Sequence, residues 1–199
     1  VQRQIYSALK RSYRGSFVLS MDQEAHFRQR GRAVMSLIGA STNPGLLAGM
    51  QNESAFLNLK WPPKELINNS SLIEAVENYV SIETPPKYKW LINFVDEATK
   101  RQEKVLVWSS LVGNLKAIER LLEPYNPSMV FGGTSSDDRK NAILKFKNDE
   151  SCKVLITNPQ TLGEGISLHK ICHHAVYIDR TYNAGQYLQS LDRIHRLGL

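Results

Sequence analysis

After residue 84 the chain alternates between short unbroken apolar runs and longer stretches with helical spacing. No other feature limits the fold as tightly. The runs are Lys104-Val105-Leu106-Val107-Trp108, Ser128-Met129-Val130-Phe131, Lys153-Val154-Leu155-Ile156 and His174-Ala175-Val176-Tyr177-Ile178. Each is shorter than a helix and apolar at successive positions, the pattern of a strand buried on both faces. Helical stripes surround them. Trp90, Leu91, Phe94, Val95 and Ala98 precede the first run, and Leu115, Ile118, Leu121 and Leu122 follow it within 114–122. Further helices are expected over 137–147 and 183–196. Strands separated by helices imply an α/β fold: a parallel sheet with helices on both faces. Right-handed crossovers then gather the strand-to-helix loops at one edge, where ligands bind in such sheets. Ser109-Ser110, Gly132-Gly133-Thr134-Ser135, Thr157-Asn158 and Gly163-Glu164-Gly165 all fall there.

Residues 1–82 read differently, as a mainly helical region preceding the sheet. Ile5, Tyr6 and Leu9 form one stripe. Asp22 is placed to cap a second helix that stops near Gly39 and the Asn43-Pro44-Gly45 turn. A third is expected from 71 to 79, with Leu72, Ile73, Val76 and Tyr79 on one side. Arg28, Arg30 and Arg32 read most simply as a solvated face, with contact to phosphates as the alternative. Thr84-Pro85-Pro86 marks the boundary, giving two expected domains, 1–82 and 83–199.

Hydrophobic residues make up 42% of the 199, enough for a real core, and the formal net charge is +6. A basic balance of this size is compatible with a polyanionic partner. Cys152 and Cys172 lie in or beside apolar runs, as reduced core thiols of an intracellular protein do. No apolar run reaches membrane-spanning length, so no membrane partner is expected. The chain opens in a helical pattern and stops just past Arg196, which reads as a piece of a longer protein.

The last predicted helix carries the most pointed chemistry. Gln189, Arg193 and Arg196 stand at i, i+4 and i+7 and would share one helix face. Guanidinium groups stay charged, and their planar forks suit phosphate oxygens. Charge that develops during phosphoryl transfer is stabilised by such an arginine. Gly163 and Gly165 let backbone approach a ligand closely. Gly132 to Asp137 could hold a phosphate at a helix start, or Ser136 or Asp137 could simply cap that helix. Asp96-Glu97 resembles an acidic metal-and-water motif, but its flanks follow a helical stripe rather than a strand end. His169, Cys172 and His173 have partial metal-ligand spacing without a matching second pair, so no metal is assigned. Nowhere does G-x-x-x-x-G-K-[ST] occur. An arginine finger without a phosphate loop implies a nucleotide held elsewhere.

These segments, in order, resemble the second RecA-like lobe of superfamily-two helicases, and more narrowly the Swi/Snf-type DNA-translocating ATPases. Val105 to Ser110 is similar to motif IV. Gly132-Gly133-Thr134-Ser135 with Arg139 and Phe146 follows the family's glycine-serine-threonine segment. Val154 to Thr157 through Gly163 to Leu168 is similar to motif V. Asp179-Arg180-Thr181-Tyr182-Asn183 stands in for "D-x-x-W-N-P", and Gln189 to Gly198 for motif VI. Thr84-Pro85-Pro86-Lys87 matches the "S-x-K" that opens this lobe, and parts of the first 44 residues resemble the helical region joining the two lobes. Ser167, Ala184 and Gln160-Thr161-Leu162 depart from the family pattern and mark a divergent member.

The resemblance implies a DNA-dependent ATPase whose catalytic groups here are Arg193, Arg196 and Gln189, with Arg196 as the finger. Gly163 and Gly165 would lie near the nucleotide. Ser109, Thr134 and Thr157 would touch the phosphates of one DNA strand, and Tyr182 the DNA backbone. ATP and Mg2+ would be held mainly by the N-terminal RecA-like lobe of the same parent chain, and double-stranded DNA would be the partner. The isolated chain would then be inactive. Location would be cytoplasmic if bacterial and nuclear if eukaryotic. Two rivals remain: a strand-separating DNA or RNA helicase lobe, and a non-catalytic docking module for DNA or protein.

Overall fold

The computed structural model describes residues 1–16, 23–52, 61–62, 67–161, 167–180 and 183–194. The chain forms two compact units, Val1–Pro85 and Pro86–Leu199. Among the described residues no helix is long and apolar enough to cross a membrane.

The first unit is helical. It holds α1 (Gln2–Ser16), α2 (Gln23–Thr42), a 3-10 segment (Pro44–Asn52), α3 (Ser70–Glu77) and α4 (Tyr79–Ile82). Ile5, Leu9 and Tyr13 of α1 are buried with Ala33 and Ala40 of α2, Leu47, Leu72, Val76 and Tyr79. The Tyr13 hydroxyl donates to Ser36 Oγ at 3.0 Å, joining α1 to α2. Helix α2 stops at Thr42, just past Gly39 and directly before the Asn43-Pro44-Gly45 turn, as the sequence suggests. The Asn43 N–H bonds to the Gly39 carbonyl at 2.8 Å, and the helix ends where Pro44 removes a donor. At Gly45 a Cβ would stand 2.8 Å from Val80 Cγ2, so only glycine allows that approach. Asn69 caps α3 by accepting the Leu72 N–H at 3.2 Å. The expected cap Asp22 lies outside the described residues.

The second unit opens with α5 (Pro86–Lys100). It continues through β1 (Val105–Trp108), α6 (Val112–Leu121), β2 (Ser128–Val130), α7 (Ser136–Asn148), β3 (Val154–Thr157), β4 (His174–Tyr177) and α8 (Ala184–Leu191). The strands form one four-stranded sheet in the order β2-β3-β1-β4, every pair parallel. Alternation along each strand feeds two cores. Val105, Val107, Val154, Ile156 and Val176 meet Leu91, Val95 and Ala98 of α5 and Leu115 and Ile118 of α6. Leu106, Trp108, Val130 and Leu155 meet Ile143 and Phe146 of α7 together with Cys152, Leu168 and Cys172.

Topology explains this division. The chain moves from β1 to the far edge through α6, then reverses direction through α7 into β3. Right-handed crossovers in opposite directions must lie on opposite faces. The connection from β3 to β4 runs the same way as α7, and its Leu168 and Cys172 pack on the α7 face. The loops after the neighbouring strands β1 and β3 therefore part to opposite faces, which opens a crevice beyond their carboxyl ends.

The opposite edge is closed by Lys104. Its Nζ donates to the carbonyls of Phe146, at 2.5 Å, and Asp149, at 2.8 Å, at the end of α7. A cation at a helix carboxyl end is favoured by the helix dipole.

Candidate functional site

Four parallel strands deliver their outgoing loops to one edge, and the register fixes how they line up. Trp108 is level with Thr157 and with Tyr177, and Val130 with Thr157. The loops that follow begin at Ser109, Phe131, Asn158 and Ile178. Two backbone bonds extend the pairing beyond the strands: Ser109 N–H to Thr157 O at 3.1 Å, and Ile178 N–H to Trp108 O at 3.0 Å.

At the centre of this edge sits Asp179, only 7% exposed. Its Oδ1 accepts the Ser110 N–H at 2.6 Å. Its Oδ2 accepts the Ser109 hydroxyl at 2.5 Å and Asn114 Nδ2 at 3.1 Å. Asn114 also donates to Ser109 Oγ at 2.9 Å, while its Oδ1 takes the Tyr88 hydroxyl. Lys87, one residue before Tyr88 on α5, donates to the Ile178 carbonyl at 2.8 Å. Burial pushes the Lys87 amine below its ordinary value, with the nearby Asp179 charge acting the other way. Beside this cluster lies a pocket of about 480 Å³ walled by Lys87, Trp90, Tyr177, Asp179 and Arg180. Sequence patterns assigned Asn114 and Tyr88 no role in a site, and gave Asp179 only a place in the segment that stands in for "D-x-x-W-N-P". A further signal was Asn114, an amide at the start of an otherwise apolar helix stripe.

The expected DNA contacts divide. Ser109 is wholly buried and its hydroxyl is committed to Asp179, so it cannot reach a DNA phosphate. Thr157 is equally buried, because its side chain lies within the sheet's last paired position. Thr134 is partly exposed. Its Oγ1 accepts the Phe131 N–H at 3.0 Å and its own N–H bonds back to the Phe131 carbonyl at 2.9 Å, closing the turn after β2. Helix α7 is capped by Ser135 rather than by Ser136 or Asp137, with Ser135 Oγ accepting the Asp138 N–H at 3.2 Å. Gly132 lies beside the next loop, its would-be Cβ 3.9 Å from Thr161 Oγ1. Tyr182 lies outside the described residues.

The expected nucleotide-facing residues also divide. Gln189 is exposed on α8. That helix ends at Leu191, and Arg193 follows in a turn held by short-span bonds: Arg193 N–H to Ser190 O at 3.4 Å, and Ile194 N–H to Leu191 O at 3.2 Å. The helix expected over 183–196 therefore ends before Arg193, and Gln189 and Arg193 do not share one regular helix. A tertiary bond accompanies the break, for the Arg193 carbonyl accepts the Leu168 N–H at 2.9 Å. The arginine segment is thus tied to the stretch that follows the glycine loop. Gly163, Gly165 and Arg196 lie outside the described residues.

Asp96 and Glu97 sit on α5 and both pair with Lys100, at 2.8 and 3.0 Å, so they form a helix-surface ion cluster rather than a strand-end metal site. The Cys172 thiol donates to the Lys104 carbonyl at 3.3 Å and faces the core, with burial pushing its pKa to about 11. Among the described residues no three His, Cys, Asp or Glu side chains form a group that could hold a metal ion. Asp179 offers no open ligand, since three donors occupy its oxygens. Among the described residues, none of these groups fits Mg2+ on its own.

Residues 86–198 match the family described as helicase conserved C-terminal domain. Over 107 residues the chain is 29% identical to TATA-binding protein-associated factor 172 of Homo sapiens, covering 51% of this chain and 6% of that protein. Over 101 residues it is 34% identical to ATP-dependent helicase FUN30 of Saccharomyces cerevisiae, covering 49% of this chain and 9% of that protein. The chain spans a small fraction of the length of these relatives. Among solved structures, the C-terminal part of the Fun30 ATPase domain aligns with a TM-score of 0.63 at 20% identity, covering 99% of this chain and 77% of that one. The Sulfolobus solfataricus SWI2/SNF2 ATPase core in complex with dsDNA aligns at 0.61 and 17% identity, covering 98% of this chain and 35% of that one. At these identities the likeness is one of fold.

Proposed function

The chain belongs to the helicase conserved C-terminal domain family, and from this we propose that it is the C-terminal motor lobe of an ATP-dependent double-stranded-DNA translocase of Swi/Snf type. The Leu168–Arg193 backbone bond carries the reading. It brings the segment bearing the motif VI arginines against the end of the motif V stretch, where a nucleotide between two lobes would meet both. ATP and Mg2+ are held by an N-terminal RecA-like lobe of the longer protein, whose phosphate loop this chain lacks. Arg196 and Arg193 stabilise charge on the transferring phosphoryl group, and Gln189 orients them. Gly163 and Gly165 let the backbone approach the nucleotide.

The loops at the carboxyl edge of the sheet grip one DNA strand through its phosphates. Because Ser109 and Thr157 are buried, the grip falls to partly or fully exposed groups there, Ser110, Thr134 and Arg180. Phosphate contacts carry little sequence information, which suits a motor that runs over any sequence. The family resemblance supports this choice of partner, and so does the archaeal neighbour, an ATPase core in complex with dsDNA. Such a motor works where duplex DNA is, in the cytoplasm of a bacterium or the nucleus of a eukaryote.

The test is ATP hydrolysis by the full-length protein with and without blunt duplex DNA. Turnover stimulated by the duplex is expected. Arg196→Ala should lower it by about three to five orders of magnitude while nucleotide binding persists, and Arg193→Ala should act in the same direction. Near-normal turnover by Arg196→Ala would remove that residue from the chemistry. Displacement of a triplex-forming strand without unwinding of the duplex is expected, and unwinding would favour a strand-separating lobe instead.

A further inference from the structure

The cluster around Asp179 is buried except where Asp179 meets the wall of the adjoining pocket, and it joins the loop after β1 to the loop after β4. We propose that Asp179 is a positioning residue: it locks these two loops into one rigid unit, so that Ser110 and Arg180 meet nucleic-acid phosphates with fixed spacing. This rests on the phosphate-gripping function proposed above.

The hydrogen bonds run one way. The Tyr88 hydroxyl donates to Asn114 Oδ1, which turns the Asn114 amide nitrogen toward Ser109 Oγ and Asp179 Oδ2. The Ser109 hydroxyl donates to the same Oδ2, and the Ser110 N–H donates to Oδ1. Every donor points at the carboxylate. Such a chain must end on a group that only accepts, and an ionised aspartate is that group. An amide of the same shape would turn an N–H₂ toward at least one of these donors. Bonds to a buried ionised acceptor are also the strong ones.

The flanking residues of the β4 loop are held as well. On one side, Lys87 donates to the carbonyl of Ile178 at 2.8 Å. On the other, the exposed guanidinium of Arg180 lies 5.0 Å from the centre of the Tyr187 ring on α8. Asp179 is therefore the pin between a fixed strand end and an exposed cation, and its other bond fixes the backbone of Ser110. Phosphates along a strand are evenly spaced, so a grip that uses both loops depends on the distance between them.

The test compares wild type with Asp179→Asn in the full-length protein, measuring DNA-stimulated hydrolysis over a range of duplex concentrations. The Michaelis constant for DNA should rise about tenfold, the size expected for losing one charge-assisted hydrogen bond. kcat at saturating DNA and KM for ATP should stay within about twofold of wild type, since neither involves the spacing of these two loops once DNA is bound. A merely structural role would behave differently: a partly unfolded population lowers kcat and leaves KM for DNA alone. Ser109→Ala provides a milder variant that keeps two donors on Asp179, and about a threefold rise in KM for DNA is expected from it. Unchanged KM for DNA in both variants overturns the proposal. Wild-type protein whose turnover ignores duplex DNA sinks the functional reading, and this proposal with it. Wild type that responds to DNA, beside variants with unaltered KM, sinks this proposal alone.

Discussion

A buried thiol that faces backbone carbonyls has little to gain from losing its proton. Cys172 is such a group: burial is the main reason its pKa stands at about 11 instead of 9.0. The unfolded chain ionises this thiol first as the pH rises, because only there is it solvated. The folded state then binds more protons than the unfolded one, and stability falls with pH. The stabilisation is fully present below about pH 9 and is lost as pH climbs through 11, up to roughly 2–3 kcal/mol for a shift of this size. Cys172→Ala should be less stable at neutral pH, because it removes buried volume, yet lose less stability than wild type between pH 9 and 10. Urea unfolding midpoints at pH 8, 9 and 10 measure that slope, and identical slopes would refute the assignment. The burial of Cys172 was legible in the sequence, since it leads into an apolar run. The burial of Ser109 was not. A serine after a strand reads the same whether its hydroxyl faces solvent or a carboxylate seventy residues away, and only the fold brings Asp179 to it.

The strands were the most legible elements because each is apolar on both faces. Val105-Leu106-Val107-Trp108 sends alternate side chains into two different cores, so no polar residue interrupts the run. Helix ends were harder to read, for they answer to bonds that sequence spacing does not reveal. Helix α8 ends at Leu191, short of the end that spacing suggests, and the turn that follows is linked through Arg193 to Leu168. Helix α7 starts one residue after Ser135 because that side chain serves its first turn, accepting the Asp138 N–H and donating to the Asp138 carboxylate at 2.7 Å. The sequence reading offered Ser136 and Asp137 as caps, and the structure gives the role to the residue before them, Ser135. Ser135→Ala should cost about 1 kcal/mol of stability, a typical value for a lost N-cap. Chemical denaturation of this chain would register it, and no change would mean that another residue takes over the cap.

The whole chain has a formal net charge of +6 and presents several outgoing loops on one edge of a parallel sheet, but no sequence of the type G-x-x-x-x-G-K-[ST]. Those two properties separate binding from chemistry. Cations and backbone amides are sufficient to attract a phosphate backbone. Hydrolysis also needs a nucleotide cradled by a phosphate loop and a metal ion, and Asp96, Glu97 and Asp179 are held by Lys100 and by the loop donors instead. The 199-residue chain by itself should therefore bind duplex DNA weakly yet hydrolyse no ATP above background, with or without DNA. Its binding should weaken as salt rises, because each neutralised phosphate releases condensed counterions. Arg180, the cation named in the grip, predicts by itself a loss of affinity of about three- to fourfold between about 50 and 200 mM salt, and each further neutralised phosphate multiplies it by a similar factor. Fluorescence anisotropy on a labelled duplex and a phosphate-release assay on the same preparation would measure both properties. Robust turnover by this chain would mean that it carries a complete active centre and would overturn the two-lobe account. Salt-insensitive binding would leave the chemistry untouched but remove phosphate tracking, because a contact that displaces no counterions is not made to the phosphates.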